Sequence, residues 1–304
     1  MSRFQLLSDA QWSLIEDLLP KRTGKKGRPF RDARQVVEGI IYRYRCGIAW
    51  RDVPEVFGPW QTIWTWHRRM SAEGTWDVVL ARLLAAAEGA GIIDWAVAVD
   101  STIARAHQHA TNITRETQGA GSNYTNLLTE PPDHGIGRSR GGLTSKIHHL
   151  VDGHGRPLVV LVGAGQAHDG PVFEHLLAHL KVGRPNGGRP RTRPDRVRGD
   201  KAYSSRAIRA TLRRRRIGAV IPEPTDQIAN RKRRGARGGR PLAFDAADYK
   251  GRNVVERNFN DVKQWRGLAT RYDKLAVVYR AAAVLRAITL WLPHLSDTPV
   301  SQNV

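Results

Sequence analysis

Near the end of the chain, Tyr249, Arg252, Glu256 and Lys263 follow one another at intervals of three, four and seven residues. At about 100° per residue these positions fall within roughly 60° of one another on an α-helix. One stripe then carries a phenol, a guanidinium, a carboxylate and an ammonium, while Val255, Phe259 and Val262 supply an apolar side opposite. Two more acids, Asp100 and Asp200, close runs of strand-forming residues, where an α/β fold exposes its chemistry. Carboxylate oxygens are hard ligands suited to Mg2+ or Mn2+, with water and phosphate completing the shell. Two such ions, about 3.5–4 Å apart, activate an attacking oxygen and stabilise the leaving one in an in-line displacement at phosphorus. Arg252 and Lys263 would hold phosphates beside them.

Plainer roles exist for the same residues. A strand-end Asp also serves as a turn or helix cap, and an Arg–Glu pair at i, i+4 is an ordinary solvated pair worth about 0.3–0.5 kcal/mol. Charge balance weighs against the plain reading. The chain has 49 Lys and Arg against 28 Asp and Glu, a formal net charge of +21. Such an excess repels itself unless a polyanion offsets it, and acids kept within a polyanion-binding surface need a cation of their own. The 304 residues, 40% hydrophobic with nine Trp, can bury a large core and do not read as disordered. One cysteine, Cys46, excludes an internal disulfide and cysteine-based metal sites. The start has no apolar leader, and Arg280 and Arg286 interrupt the apolar run 275–292, so the chain is read as soluble, intracellular and without a membrane partner.

The elements that must position these acids fall into two groups. Up to about residue 90 the pattern is helical. Ser8 and Gln11 form a capping box for a helix running to about Leu19, ended by Pro20, and the basic stretch 21–29 reads as a linker. Asp32 caps a helix with Val36, Val37, Ile40, Ile41 and Tyr44 on one face, ended by Gly47; Trp60–Met70 and 76–87 form two more. Trp12, Trp50, Trp60, Trp64 and Trp66 are assigned to the core of this unit, and Arg68 and Arg69 to DNA contact. From Asp94 strands begin: 95–100 ending in Asp100, then 145–151 and 158–162 around the turn 152–155. A helix over 171–180, a short strand ending at Asp200, a basic helix 204–216 and a short strand 219–221 come next. Residues 108–142 and 231–240 read as loops, the latter basic, and helices over about 252–267 and 275–292 close the chain. The fold class is α/β, a mixed sheet flanked by helices.

Several other residues invite a role. Arg213–Arg216 and the run 231–240 can each neutralise several phosphates. Arg138, Arg140 and Lys146 flank a glycine pair that lets backbone approach a DNA strand. His107, His109, His148, His149 and His168 lack a zinc-site pattern. Tyr203 and Trp265 can stack on an unpaired base or pack in the core.

The spacing Y-x2-R-x3-E-x6-K matches the signature of DDE transposases from bacterial insertion sequences. AVDST around Asp100 and GDKAYSS around Asp200 resemble that family's two aspartate blocks. The stretch 137–158, with LSDAQWSLIEDLLP and WRDVPEVFGPWQTIWTWHRRM before it, is similar to the branch named insertion sequence five. The resemblance covers nearly the whole chain. It implies an RNase H-like catalytic domain over 91–295, with a basic insertion at about 225–248, after a helix-turn-helix-like DNA-binding domain over 1–90 and before a tail over 296–304. It also implies metal-ligand roles for Asp100, Asp200 and Glu256, with two Mg2+ (or Mn2+) ions per active site, and phosphate contacts from Tyr249, Arg252 and Lys263. The partners are double-stranded DNA, as terminal inverted repeats and as target, and a second copy of the chain, in the bacterial cytoplasm with the nucleoid. The reaction is cleavage at the element ends, then attack of the freed 3′-OH on target DNA. The alternatives are a DNA-binding regulator derived from such an enzyme and an RNase H-like nuclease without strand transfer. The Arg- and Gly-rich stretch 230–240 departs from the pattern, and no role carries over to it.

Overall fold

Ser8 and Gln11 close their capping box at the first helix, α1 (Asp9–Ser13), the Ser8 hydroxyl accepting from Gln11 N and the Gln11 carboxamide from Ser8 N. The computed structural model describes residues 6–20, 32–116 and 124–296, so the basic linker read at 21–29 lies outside it. The first helix does not run to Leu19. It ends after five residues, and a 3-10 turn (Glu16–Leu18) redirects the chain so that Leu7, Ile15 and Leu19 all reach the core. Asp32 caps α2 (Ala33–Cys46) through the amides of Arg34 and Gln35, and Gly47 ends it at φ 68, where a Cβ would collide with Arg266. Two 3-10 turns (Trp50–Asp52, Glu55–Phe57) lead to α3 (Trp60–Glu73) and α4 (Thr75–Gly89). The early tryptophans line the edge of the core rather than fill it: Trp12, Trp50 and Trp66 pack against it while partly exposed. Trp64 is half-buried as well and Trp60 is exposed at 37%, and Arg34, Arg43, Arg68 and Arg69 lie over Trp12, Trp50, Trp64 and Trp66. In so basic a unit guanidinium groups cover the rings as well as apolar side chains do.

The sheet begins with β1 (Ala96–Ala106), followed by the short α5 (Gln108–Thr111) and by β2 (Gly137–Ser139), β3 (Gly142–Val151) and β4 (Pro157–Ala164). After α6 (Asp169–His179) come β5 (Arg196–Arg198), α7 (Arg206–Arg214), β6 (Gly218–Val220) and α8 (Thr225–Arg233). The chain closes with α9 (Ala246–Tyr249), α10 (Asn253–Lys263), α11 (Arg266–Ala269), β7 (Thr270–Arg271) and α12 (Ala276–Ser296). The strand order is β2-β3-β1-β5-β6, with β4 also on β3 and β7 on β1. β3 runs antiparallel to β1 and β4, whereas β5 and β6 run parallel to β1, which makes the sheet mixed as expected.

Further elements differ from the sequence reading. β1 does not stop at Asp100: antiparallel pairing with β3 carries it through Arg105, so Asp100 sits in mid-strand. Part of the loop read at 108–142 is helix α5 and strand β2, which pairs with the start of β3. The basic loop is not a loop throughout. Thr225–Arg233 is helical and Gly235–Gly238 a 3-10 turn, with Asp226 in the first turn and Arg231, Lys232 and Arg233 in the last, the charge order a helix dipole favours.

One apolar cluster runs from Leu7 to Leu295, joining α2, α3 and α4 to β4 and α12. α12 is long and apolar enough to cross a bilayer, yet 78% of its apolar window is buried in the protein. Its Arg280, itself buried, is held by Asp77 of α4 and the Val160 carbonyl of β4. The helix is the spine of the core.

Candidate active site

Asp100 stands in β1 with its side chain 18% exposed. One carboxylate oxygen accepts from Ser101 N at 2.8 Å, the other from Arg252 Nη2 at 2.9 Å. Burial pushes its pKa up to about 6; the Ser101 amide and Arg252 oppose the rise, and Asp200 and Asp169 add to it. Asp200 lies two residues past β5. The last β1–β5 pair is Ala98 with Arg198, so Asp100 and Asp200 each lie two residues past it, and Asp200 acts electrostatically on Asp100. Asp200 also performs the humbler capping job, accepting from Ala202 N at 2.8 Å above a 3-10 turn (Lys201–Tyr203).

Glu256 arrives from α10, whose docking is built from its sequence. Val254, Val255 and Phe259 pack on Ala98 and Val151, and Val262 joins the main core. The buried Asn258 carbonyl lies 2.7 Å from His149 Nδ1 of β3, and the His149 ring packs on Phe259 at 5.1 Å. Burial pushes the His149 pKa down to about 4, so the ring is neutral. Gly155, at φ 90 in the β3–β4 turn, makes room: a Cβ there would sit 2.9 Å from the Val254 carbonyl.

Arg252 joins the two halves. Its Nη1 donates to Glu256 at 2.6 Å while its Nη2 holds Asp100, so one guanidinium bridges strand and helix. The single stripe from Tyr249 to Lys263 is not one α-helix. A 3-10 turn (Lys250–Arg252) follows α9, because Asp248 is pinned to Arg196 and Arg198 of β5, with Gly251 close against Arg198. Tyr249 therefore turns to Phe244, ring to ring at 5.3 Å. Half-buried Lys263 ends α10, its pKa lowered by burial.

Among the described residues no three of His, Cys, Asp or Glu converge closely enough to hold an ion as they stand. The donor chemistry nevertheless fits a divalent cation. Asp100 is a mostly buried carboxylate crowded by Asp200 and Asp169, and Arg252 must divide its charge between Asp100 and Glu256. Such a surplus of hard, negative oxygen is what a divalent ion relieves.

Asp169 escaped the sequence reading. At the first turn of α6 it accepts from the Ser101 hydroxyl at 2.8 Å and from Lys146 Nζ at 3.1 Å, with His148 Nδ1 at 3.6 Å. Its one sequence signal is an acid at a helix start, which has no fixed spacing to Asp100. Lys146 consequently does not join Arg138 and Arg140 on the surface. It is buried, also donating to the Ala167 carbonyl, whereas those two arginines stand exposed on the β2–β3 hairpin. Arg68 and Arg69 are exposed on α3, Arg69 paired with Glu73. Tyr203 and Trp265 are both buried, which leaves neither a face for stacking on a base. His148 and His149 are buried as well, and His107 packs between His109 and Tyr272.

Residues 7–80 match a family model described as "Putative transposase of IS4/5 family", and residues 93–292 one described as "Transposase DDE domain". An "Uncharacterized protein y4sN" of Sinorhizobium fredii is 34% identical over 113 residues, 37% of this chain and 86% of that protein. An "Insertion element IS402 uncharacterized 16.2 kDa protein" of Burkholderia cepacia is 35% identical over 108 residues, 33% of this chain and 74% of that protein. A Brucella ovis protein named "Putative transposase for insertion sequence element IS6501" is 30% identical over 151 residues, 49% of this chain and 99% of that protein. No solved structure matches.

Proposed function

Since this chain belongs to the DDE transposase family and is a DNA transposase with an RNase H-like core, we propose that Asp100, Asp200 and Glu256 are its catalytic carboxylates. The observation that carries this reading is the Arg252 bridge, which links Asp100 to Glu256 across 156 residues of chain while Asp200 flanks Asp100. The family's chemistry uses divalent metal ions. In our reading these three side chains would hold two of them, as Mg2+ or Mn2+. When bound, such ions activate the attacking oxygen and stabilise the departing one.

The chain's own residues do the rest. β1 fixes Asp100 through its pairing with His149 of β3, and α10, docked by its apolar face, brings up Glu256 on the other side. Arg252 neutralises and aims both carboxylates, and its fork also suits a phosphate. Lys263 and Tyr249 contact DNA phosphates further along the segment. Arg138 and Arg140 on the hairpin, and Arg68 and Arg69 on α3, face the duplex. The first ninety residues recognise the terminal inverted repeats and residues 91–295 do the chemistry, with two copies of the chain bringing two element ends together in the cytoplasm. Cleavage frees a 3′-OH, which then attacks target DNA.

The test uses a labelled duplex carrying an element end, a second unlabelled duplex, and Mg2+ or Mn2+. Wild-type protein is expected to nick the first and join it to the second, with Asp100→Asn, Asp200→Asn and Glu256→Gln binding DNA but doing neither. Cutting at the wild-type rate by any of the three would remove that residue from the set. Cut ends that never become joined would reduce the activity to that of a nuclease.

A further inference from the structure

Four residues beyond Asp200 the chain enters the wall of a cavity of about 590 Å³ between α7 and α8. Arg206, Arg209, Arg213, Arg231, Arg234 and Arg240 line it, and the one acid among the lining residues, Glu223, is engaged by Arg231. Six guanidinium groups repel one another, and a single carboxylate, Glu223, stands against them in the lining. Arg209 is the clearest case. It donates to the Ser204 hydroxyl at 2.9 Å and the Ile221 carbonyl at 2.8 Å, yet its Nε is buried without a hydrogen-bond partner. A half-buried cation hydrogen-bonded only to neutral oxygens, with Glu223 acting on it from a distance, is costly unless an anion completes it.

The supporting helix has no structural task that would explain it. α8 contributes no buried residue to any core. It is tied down at a polar point, where Gln227 Nε2 donates to the Ser204 carbonyl at 2.9 Å and Ser204 Oγ to Gln227 Oε1 at 3.3 Å. Its basic face is thereby locked to the segment that carries Asp200. Arg206, Arg213, Arg234 and Arg240 are exposed at the mouth. Forked guanidinium donors in such number match phosphodiester oxygens. Leu242 and Ala210 are the only apolar side chains among the lining residues, the others being charged, polar or glycine.

We propose that this cavity is a phosphate-gripping groove that seats a DNA backbone beside the Asp200 turn, separate from the carboxylates. It rests on the reading of the chain as a DNA transposase, but its test does not require cleavage. The exposed arginines can be changed without opening a core, so the variant is Arg206→Gln/Arg213→Gln/Arg234→Gln. A control, Lys181→Gln/Arg184→Gln/Arg189→Gln, removes the same charge from an exposed loop outside the cavity. Duplex binding is followed by anisotropy in EDTA between about 50 and 200 mM salt, where each phosphate contact contributes about 0.9 to the slope of log K against log salt.

The expected result is a slope shallower by about 2–3 in the cavity variant and nearly unchanged in the control. An unchanged slope in the cavity variant overturns the proposal, and so does an equal loss in both, which would leave net charge as the whole explanation. Inorganic pyrophosphate is the second probe. If it binds wild-type protein tightly while the cavity variant keeps the full DNA slope, the groove takes a free anion and the proposal fails. Because metal is absent throughout, the outcome is independent of whether Asp100, Asp200 and Glu256 cut DNA.

Discussion

Asp100 and Glu256 illustrate two ways of placing an acid. Asp100 is carried by a strand hydrogen-bonded along β3 on one side and leading beside β5 on the other, and it is 18% exposed. Glu256 stands 53% exposed on a helix laid over that sheet, and among the described residues its ion-pair partner is Arg252. The first position is set by the backbone ladder, which side-chain substitutions scarcely disturb. The second is set by packing and by a single guanidinium, so it is adjustable and fragile. The site thus has one wall set by backbone pairing and the other by side-chain packing.

The largest effect is expected at the rigid wall. Asp100→Asn keeps the shape and removes the charge, and cleavage of a labelled element end should drop by at least about 10³-fold, as when members of a catalytic set act as a unit. Appreciable residual cutting would mean that the helix-borne acid carries the chemistry. Arg252→Lys probes the link between the walls, since an ammonium cannot serve both carboxylates in forked geometry. Its cleavage rate should fall by about 10–100-fold and the divalent-ion concentration for half-maximal rate should shift, while circular dichroism stays unchanged. A rate equal to wild type would show that Arg252 does not connect the two halves.

Smaller effects concern how α10 is held. Asn258→Ala leaves His149 Nδ1 without its partner in a buried seam, which should cost about 1–3 kcal/mol in urea unfolding. A loss under a few tenths would mean that Val255 and Phe259 dock the helix alone. The pH dependence has a definite sign. Folded His149 has its pKa lowered to about 4 from 6.5, so below pH 6.5 the unfolded chain binds a proton that the folded one refuses. This contribution to stability is complete above pH 6.5 and is lost as the pH falls toward 4. His149→Gln should flatten the fall in unfolding midpoint between pH 7 and 5, by at most about 1.4 kcal/mol per pH unit. An unaltered profile would assign the acid sensitivity to other buried groups, such as His67.

Much of this was readable from residue order because the signals are local. The Ser8–Gln11 box, the Asp32 cap, the Gly47 stop and the apolar face of α10 each depend on neighbours within a few positions, and all are as expected. Errors arose where a distant segment overruled local preference. β1 outran Asp100 because β3 offered it a partner as far as Arg105. The stripe from Tyr249 broke at a 3-10 turn because Asp248 was claimed by two arginines of β5. The basic run 231–240, whose glycines read as loop, was partly folded into helix α8, anchored through Gln227 and Glu223.

The amino-acid order alone determined the kinds of residue available: three acids in a strongly basic chain, at spacings that match a known family. It also determined the local frames that carry them, since caps, turns and apolar periodicity are short-range properties. Only the tertiary structure decided that Asp100 and Glu256 share one arginine, and that Asp200 and Asp169 both stand near enough to Asp100 to raise its pKa. Those are contacts between segments far apart in the chain. They are selected by how sheet and helices pack together, a property that no window of sequence contains.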